Sequence, residues 1–451
     1  MGKGGGTLGE SSGTPEPQTN IAESIMTTCR RWHISRRALL SYVLILVAWV
    51  GVGGAWCAAP ADEPIGVYLT WARDPATTMT VNWVDEDAVS TTTLWYRRAG
   101  TDDWSSAEAK PSKVGPSQMH VRRVELSELV PDTFYQFGIG DKPDGSDDGW
   151  RFRTMPESFD REITFVTGGD MMRSRSTVDA MNRQAARLDP DFALLGGDLA
   201  YANGRDASRW VDWLESWKVN CVGKDGRLIP MVLAIGNHEV RGGYGGKIPD
   251  DAPFFYSLFS LPDDRAYYAL DFGSDLSLVV LDSGHTNAID GDQADWLRMA
   301  LAERTKQTFL FACYHYPAYG TTKAPRNGLP IDASRSVEIR ENWVPHFERY
   351  GVTAAFENDH HNFKRSHRLR QHERDDDNGI LYLGDGAWGV STRSVPSPEE
   401  GWWLAKAEPR NHLWYVTLRP DKTATMQAID MKGEVFDEVE VARPRTRPVE
   451  E

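Results

Sequence analysis

The chain has 451 residues, of which 40 % are hydrophobic and 25 % charged, and its formal net charge is −15. This composition is typical of globular proteins and excludes a disordered chain, while only four cysteines exclude a small disulfide-stapled scaffold. At roughly 100–200 residues per domain, the length predicts two domains. So acidic a chain has no overall attraction for nucleic acids or anionic membranes, and we expect no nucleic acid as a structural partner. An anionic substrate therefore needs a local source of positive charge, such as a metal ion.

The N-terminal part of the chain has the pattern of an export signal. Residues 1–29 are rich in Gly, Ser, Thr and Pro without periodicity and are predicted to be a disordered extension. Residues 30–61 begin with arginines and continue in an uncharged apolar run, Ala38 to Ala59, which indicates a signal peptide. The run is also long enough to span a bilayer, so a membrane anchor is the alternative. Because residues 35–40 (SRRALL) resemble a twin-arginine signal, we expect an exported protein, periplasmic or extracellular, that touches the membrane only if this segment is uncleaved.

Residues 62–156 have the pattern of an all-β domain. Short β-branched and aromatic stretches, such as those at 66–71, 79–83 and 134–139, are separated by Asp, Pro and Gly turns. This pattern predicts a sandwich of about seven strands. Modules of this kind are usually structural, so we interpret it as a spacer or cover.

Residues 160–445 have a different pattern, in which apolar strands alternate with amphipathic helices such as 206–219 and 291–304. Alternation of this kind predicts an α/β sandwich whose strands are largely buried. In the first of these helices, Trp210, Trp213 and Trp217 share one face, which indicates core packing.

Five apolar strands of this second region end in small residues followed by Asp, Asn or His. The polar residues are Asp170 after 163–166, Asp198 after 192–195, Asn237 and His238 after 231–235, His315 after 309–313, and Asp359, His360 and His361 after 352–356. Since α/β sheets bind ligands outside the carboxyl ends of their strands, we expect these side chains to meet. Oxygen and imidazole ligands without thiolate suit Fe, Mn, Zn or Mg. The pattern therefore predicts a metal site.

With the spacing Gly197-Asp198-x-x-Tyr201 and the run Gly236-Asn237-His238-Glu239, the chain resembles a purple acid phosphatase, within the calcineurin-like metallophosphoesterases. The resemblance covers almost all of the chain after the N-terminal segment. It implies a fibronectin III-like all-β sandwich at 62–156, followed by an α/β metallophosphoesterase sandwich domain at 160–445. It also implies an acid phosphatase that hydrolyses phosphate monoesters by attack of a metal-bound hydroxide at a binuclear metal centre.

The resemblance also implies roles for individual residues. Asp170, Tyr201 and His361 would bind Fe3+ in the first site, with Tyr201 as a phenolate. Asp198 would bridge the two metals. Asn237 and His315 would bind Fe2+, Mn2+ or Zn2+ in the second site. His238 would contact the substrate phosphate or protonate the leaving group.

One motif departs from the family. The family's Gly-His-x-His reads Asn358-Asp359-His360-His361 here, so Asp359 stands where a second-metal histidine is expected. If 359 and 361 share a strand face while 360 points away, Asp359 is the predicted ligand, with His360 as the alternative through a local backbone shift. An added carboxylate makes the site less positive and favours Mn or Fe over Zn.

Two other functions are compatible with the same residues. The centre could serve a phosphodiesterase or nucleotide phosphatase, or a decayed site could belong to a non-catalytic surface binding protein. The remaining histidines match no motif and are predicted to lie at the surface or in the core; they are His120, His285, His346, His367, His372 and His412.

Overall fold

The computed structural model describes residues 63–86, 91–144, 149–243, 248–321 and 333–442. All of them belong to one of the two units into which the chain divides, Asp62–Glu451. The predicted disordered extension at 1–29 and the signal peptide or anchor at 30–61 lie outside the described residues. Within the described ranges, no helix combines the length and the apolar character needed to cross a membrane.

The described residues form 23 strands and six α-helices. The strands are β1 Gly66–Thr70, β2 Met79–Asp85, β3 Thr93–Arg98, β4 Ser105–Glu108, β5 Ser112–Lys113, β6 His120–Leu126, β7 Phe134–Ile139, β8 Trp150–Arg153, β9 Ile163–Gly168, β10 Phe192–Leu195, β11 Met231–Leu233, β12 Tyr268–Phe272, β13 Leu276–Val280, β14 Phe309–Cys313, β15 Ala354–Phe356, β16 Phe363–Ser366, β17 Leu369–Arg370, β18 Glu373–Arg374, β19 Leu381–Gly384, β20 Leu404–Glu408, β21 His412–Leu418, β22 Thr423–Asp430 and β23 Val435–Ala442. The helices are α1 Arg175–Arg187, α2 Ala207–Asn220, α3 Pro253–Leu258, α4 Asp292–Glu303, α5 Ser334–Asn342 and α6 Val344–Tyr350.

The N-terminal domain consists of two antiparallel layers, which confirms the predicted sandwich. One layer is the four-stranded sheet β4-β3-β7-β8, and the other is formed by β1, β2, β6 and β5. There are eight strands where about seven were expected. The second layer does not end at the domain boundary, because Thr70 of β1 pairs in parallel with Met231 of β11. The N-terminal layer is therefore continuous with a sheet of the following domain.

The second domain is the predicted α/β sandwich. It is built on two main sheets. The first has ten strands, in the order β23-β22-β21-β9-β10-β11-β1-β2-β6-β5, of which β1, β2, β6 and β5 belong to the N-terminal domain. The second has seven strands, in the order β12-β13-β14-β15-β19-β16-β20. Between them, Phe165 of the first sheet lies 6.0 Å, between ring centroids, from both Phe311 and Phe356 of the second. Because a fully buried side chain of this kind contributes about 1.5–3 kcal/mol, these rings help to fix the two sheets face to face.

The helices cover the outer faces of the sheets. Helix α2 begins after Asp206, whose side chain accepts a hydrogen bond from Ser208 N, as an N-cap residue does. Its tryptophans, Trp210, Trp213 and Trp217, are fully buried, which confirms their predicted place in the core. The helix runs one residue later than the predicted 206–219.

Candidate metal centre

The predicted polar residues follow adjacent strands. In the ten-stranded sheet β9, β10 and β11 are parallel neighbours, so Asp170, Asp198 and Asn237 begin neighbouring loops at one edge. In the seven-stranded sheet the parallel strands β14 and β15 precede His315 and Asp359. As the sheets face each other, these two edges come together. The structure places potential ligand atoms of Asp170, Asp198 and His315 within 4.8 Å of one another, all three residues being buried.

Asp170 is the centre of one half of the cluster. Tyr201 Oη donates a hydrogen bond to Asp170 Oδ1 at 2.8 Å, and His361 Nε2 lies 2.8 Å from the same oxygen. Tyr201 Oη and His361 Nε2 are 3.2 Å apart. The three residues predicted to hold the first metal thus surround one point.

His315 is the centre of the other half. Its Nε2 lies 3.2 Å from Asn237 Oδ1, 3.3 Å from Asp198 Oδ1 and 3.7 Å from Asp359 Oδ1. Its other ring nitrogen, Nδ1, is 2.9 Å from the carbonyl oxygen of Gly196. Since a carbonyl oxygen only accepts, Nδ1 carries a proton, and Nε2 is the ring nitrogen that faces the cluster, as in a metal-binding histidine.

Asp198 lies between the two halves. Its Oδ1 accepts a hydrogen bond from His238 N at 2.7 Å, whereas its buried Oδ2 has no hydrogen-bond partner among the residues that the structure describes. Its backbone N–H donates to Glu239 Oε2 at 2.8 Å. A buried carboxylate oxygen without a donor is costly, and a bound cation would remove that cost. The residues present therefore fit a metal centre.

A glycine makes room for Asp170. Gly386 has φ of +66°, and a Cβ at this position would lie 1.9 Å from Asp170 Oδ2. Any other residue would displace the carboxylate or the chain, so the loop after β19 approaches this closely only as glycine.

The electrostatics of the cluster also call for a cation. Burial disfavours protonated His315, yet the nearby carboxylates of Asp198 and Asp170 raise its pKa to about 10. Burial, together with the charges of Asp170 and Asp198, raises the pKa of Tyr201 well above its ordinary value. The cluster thus has an excess of negative charge, and Tyr201 becomes a phenolate only beside a strongly charged cation.

The loop at 357–362 corrects one premise of the sequence analysis. Strand β15 ends at Phe356, and Asp359 and His361 have φ of 75° and 60°. The two residues are therefore not on a strand, and the inference from a shared strand face is wrong. The Asp359 carboxylate nevertheless faces His315, as given above, while His360 Nδ1 accepts a hydrogen bond from Thr321 N at 2.7 Å. Between the two alternatives, the geometry favours Asp359 as the residue nearer the cluster.

His238, the predicted catalytic residue, lies at the rim of the cluster. Its Nδ1 is 2.5 Å from Asn203 Oδ1, and its Nε2 is 3.8 Å from Asp198 Oδ2. The ring stacks on Tyr201 with 4.3 Å between ring centroids. Because the amide oxygen of Asn203 accepts, the proton is held on Nδ1 and Nε2 faces the centre. Asn203 was not predicted from the sequence as a partner of His238.

A network of buried charges lies behind the loop at 357–362, and it was not predicted from the sequence. The ammonium of Lys364 is fully buried and contacts Glu357 Oε2 and, at 3.4 Å, Asp385 Oδ1. Glu357 Oε1 accepts from Tyr314 Oη at 2.7 Å, and Asp385 Oδ2 lies 3.3 Å from His360 Nδ1. Nothing in the local pattern of β16 marks Lys364 as buried.

Comparison with known proteins agrees with this architecture. A model of the N-terminal domain of purple acid phosphatases matches residues 64–154, and a model of calcineurin-like phosphoesterases matches residues 165–357. Uncharacterized proteins from two strains of Mycobacterium tuberculosis are each 27 % identical over 399 residues, which cover 75 % of this chain and 72 % of theirs.

A similar solved structure is that of purple acid phosphatase PPD1 from yellow lupin seeds. It has a TM-score of 0.70 and 17 % identity, and the match covers 84 % of this chain and 74 % of that one, which shows a shared fold. The two matched domains, in this order and around this cluster, are those of a hydrolase. The chain therefore contains a calcineurin-like phosphoesterase domain and has the domain organisation of the purple acid phosphatases.

Proposed function

We propose that this protein is an exported acid phosphatase that hydrolyses phosphate monoesters at a binuclear metal centre. The proposed ligands are Asp170, Tyr201 and His361 for Fe3+ in the first site, Asp198 as the bridge, and Asn237, His315 and Asp359 for Fe2+, Mn2+ or Zn2+ in the second site. Asp198 gives the main support, because its buried Oδ2 has no hydrogen-bond partner in the described part of the chain and the residue lies among potential ligands.

The donor set differs between the two sites. Asp170 and Tyr201 offer hard, anionic oxygen atoms to the first site, which suits a trivalent iron. The second site has the neutral ligands Asn237 and His315, and Asp359 adds one carboxylate. Asn237 Nδ2 donates to Gly243 O at 2.8 Å, which turns the amide oxygen towards His315. A divalent ion fits this more neutral set.

When bound, a pair of cations neutralises the phosphoryl charge, orients the ester and supplies an activated water. The chain's own residues do the rest. Asp198, buried between the halves, would join the two metal sites. His238 directs Nε2 towards the same place and can deliver a proton to the leaving oxygen, while Asn203 holds the ring. Since burial lowers the pKa of His238, its protonated form is populated on the acid side of neutrality.

Hydrolysis is tested on the purified protein supplied with Fe together with Mn or Zn. The substrates are an aryl phosphomonoester and a matched aryl diester, assayed from acid to neutral pH. We expect turnover of the monoester, and a loss of at least about 10³-fold in Asp198→Asn, since metal clamping contributes several kcal/mol. Asp206→Asn is the matched control, because asparagine also caps a helix and this exposed carboxylate accepts its hydrogen bonds from Ser208.

Each other outcome of this experiment has a definite meaning. Turnover of the diester alone would replace the proposed substrate class with phosphodiesters. Undiminished turnover in Asp198→Asn, or none with any metal, would overturn the proposed function.

Export is the part of the proposal that depends only on residues 30–61. Their arginines and apolar run support a signal that is removed near Ala59. Sequencing the N-terminus of the protein from the exported fraction tests this. A protein that starts after Ala59 supports cleavage, an intact segment in the membrane fraction indicates an anchor, and retention in the cytoplasm contradicts export.

A further inference from the structure

Arg393 lies at the edge of the metal centre. Its Nη2 is 3.3 Å from His361 Nε2, and its Nη1 donates to the main-chain oxygen of Asp359 at 3.2 Å. Its own backbone N–H donates to Asn362 Oδ1 at 3.1 Å. The guanidinium is therefore attached to the same loop that carries two of the proposed ligands, and it is partly buried there.

Among the described residues, the charge of Arg393 is not balanced by a carboxylate. Other arginines of this acidic chain bind acids closely, such as Arg365 to Asp437 at 2.6 Å and Arg410 to Asp430 at 2.7 Å. Within the described ranges, no ion pair joins Arg393 to an Asp or Glu, and its hydrogen bonds go to neutral groups. A guanidinium of this kind, fixed beside a phosphoesterase centre, is suited to bind an oxyanion.

The contact with His361 is one that a metal-loaded centre would replace. His361 Nδ1 lies 3.3 Å from the main-chain oxygen of Ser391, and Nε2, beside Asp170 Oδ1 and Arg393 Nη2, is the ring nitrogen that faces the centre. A cation bound to Nε2 would take its lone pair, so the guanidinium could not use it. With His361 bound to a metal, Nη2 of Arg393 is left as a donor that faces the centre, while Nη1 remains attached to Asp359.

The number of phosphoryl oxygens then determines what this donor can bind. A phosphate monoester has three non-bridging oxygens and a diester has two. Two cations that clamp one oxygen each leave a third anionic oxygen only in the monoester. We propose that Arg393 binds this third oxygen and so makes the centre selective for monoesters over diesters. This inference rests on the proposed function and names the residue that decides its substrate class.

The inference also accounts for the charge of Asp359. A carboxylate in place of a histidine makes the centre less positive by one unit, and a guanidinium at its edge restores that unit. Arg393 donates a hydrogen bond to the main-chain oxygen of the same residue, which holds the guanidinium near Asp359.

The test compares Arg393→Met and Arg393→Lys with a matched control, Arg173→Met. Arg173 is an exposed arginine that donates a hydrogen bond to Ser391 Oγ at 2.7 Å. Like Arg393, it forms no ion pair with a carboxylate of the described residues. It controls for the loss of one positive charge near the centre. Metal content and thermal unfolding are measured for every variant.

For Arg393→Met we expect kcat/KM for an aryl monoester to fall about 10- to 100-fold, as for loss of one hydrogen bond to a charged group. The value for the matched diester should fall less than about threefold, so the ratio of the two changes. Arg393→Lys should recover part of the loss, because it keeps the charge without the fork. Arg173→Met should leave the ratio unchanged.

Calorimetry with inorganic phosphate separates this inference from the proposed function. Phosphate has the same free oxygens, so its Kd should rise about 10- to 100-fold in Arg393→Met, whether or not the protein turns over any ester. Equal losses on monoester and diester, an equal effect of Arg173→Met, loss of metal in Arg393→Met, or unchanged phosphate binding would each overturn the role of Arg393.

Discussion

The two main sheets each contribute half of the metal centre, and they hold their halves in different ways. The ten-stranded sheet contributes Asp170, Asp198 and Asn237 through turns that follow three adjacent parallel strands. Backbone hydrogen bonds join these turns, from Asp170 N to Gly197 O and from Met171 N to Asp198 O, each 3.0 Å long. The seven-stranded sheet contributes His315 and the loop at 357–362, behind which Lys364 lies among buried acids.

The departure from the purple acid phosphatase motif, at Asp359, lies in the second half. In the first half, each ligand follows directly on one of three neighbouring parallel strands. In the second half, backbone hydrogen bonds from Asn358 N to His315 O and from His361 N to Asp385 O hold the loop, and the buried side chains of distant residues hold it as well.

The largest effect is expected from breaking the network behind the second half. Lys364→Met leaves Glu357 and Asp385 buried without their cation, which costs about 3–5 kcal/mol. The free energy of unfolding, measured with denaturant, should fall by that amount, and metal binding by the loop should weaken. Lys432→Met, at an exposed lysine, is the control. If the two variants were equally stable, the network would not be what holds this half.

A smaller effect is expected from the first half, where one side chain joins several backbone groups. Glu239 Oε2 accepts from Asp198 N and Gly236 N, and its Oε1 accepts from Leu199 N. In Glu239→Gln the amide NH2 has to face at least one of these donors, which costs about 1–3 kcal/mol. Denaturant unfolding measures the cost, with Glu303→Gln, at an exposed position at the end of helix α4, as control. A loss larger than that of Lys364→Met would reverse the proposed contrast.

The third experiment sharpens the contrast at Asp359 itself. Asp359→His restores the histidine of the family motif and should shift the second site towards Zn, by about tenfold or more in the ratio of Zn to Mn affinity. Elemental analysis after competition between the two metals measures the ratio. His360→Gln is the matched variant and should retain the second metal. Stoichiometric Zn, without Mn or Fe, in the second site of the parent protein would contradict the expected preference.

The effect that is smallest at neutral pH concerns the packing between the sheets. His412 at the start of β21 lies 5.3 Å, between ring centroids, from Phe363 of β16, and burial lowers its pKa to about 4. Its ordinary pKa is 6.5, so the unfolded chain takes up this proton first as the pH falls. His412 therefore lowers stability between pH 6.5 and about 4, by at most about 1.4 kcal/mol per pH unit.

The variant His412→Phe should flatten the dependence of unfolding free energy on pH within this window and change it little above pH 7. Buried His285, whose pKa burial also lowers to about 4, stays in place and preserves its own share of the acid sensitivity. An unaltered slope between pH 6.5 and 4 would show that His412 is protonated in the folded protein.

The amino-acid sequence by itself determined the order of the two domains and which polar residues meet in the cluster. Short β-branched and aromatic stretches between turn residues marked the N-terminal sandwich, and five strand ends marked the residues that meet. Such features are local, because each depends on a strand and the turn that follows it. The face of α2 that carries Trp210, Trp213 and Trp217 was predictable for the same reason.

Only the tertiary structure decided which distant residues complete these local features. The pairing of β1 with β11 joins the two domains into one sheet, and no pattern in either strand specifies it. The burial of Lys364 and the approach of Arg393 to His361 likewise depend on loops that are far apart in the chain. From the sequence alone, a charged side chain is predicted to be solvent-exposed, because burial without a partner of opposite charge is too costly. Here the fold supplies Glu357 and Asp385 to Lys364, and sets Arg393 beside the metal centre.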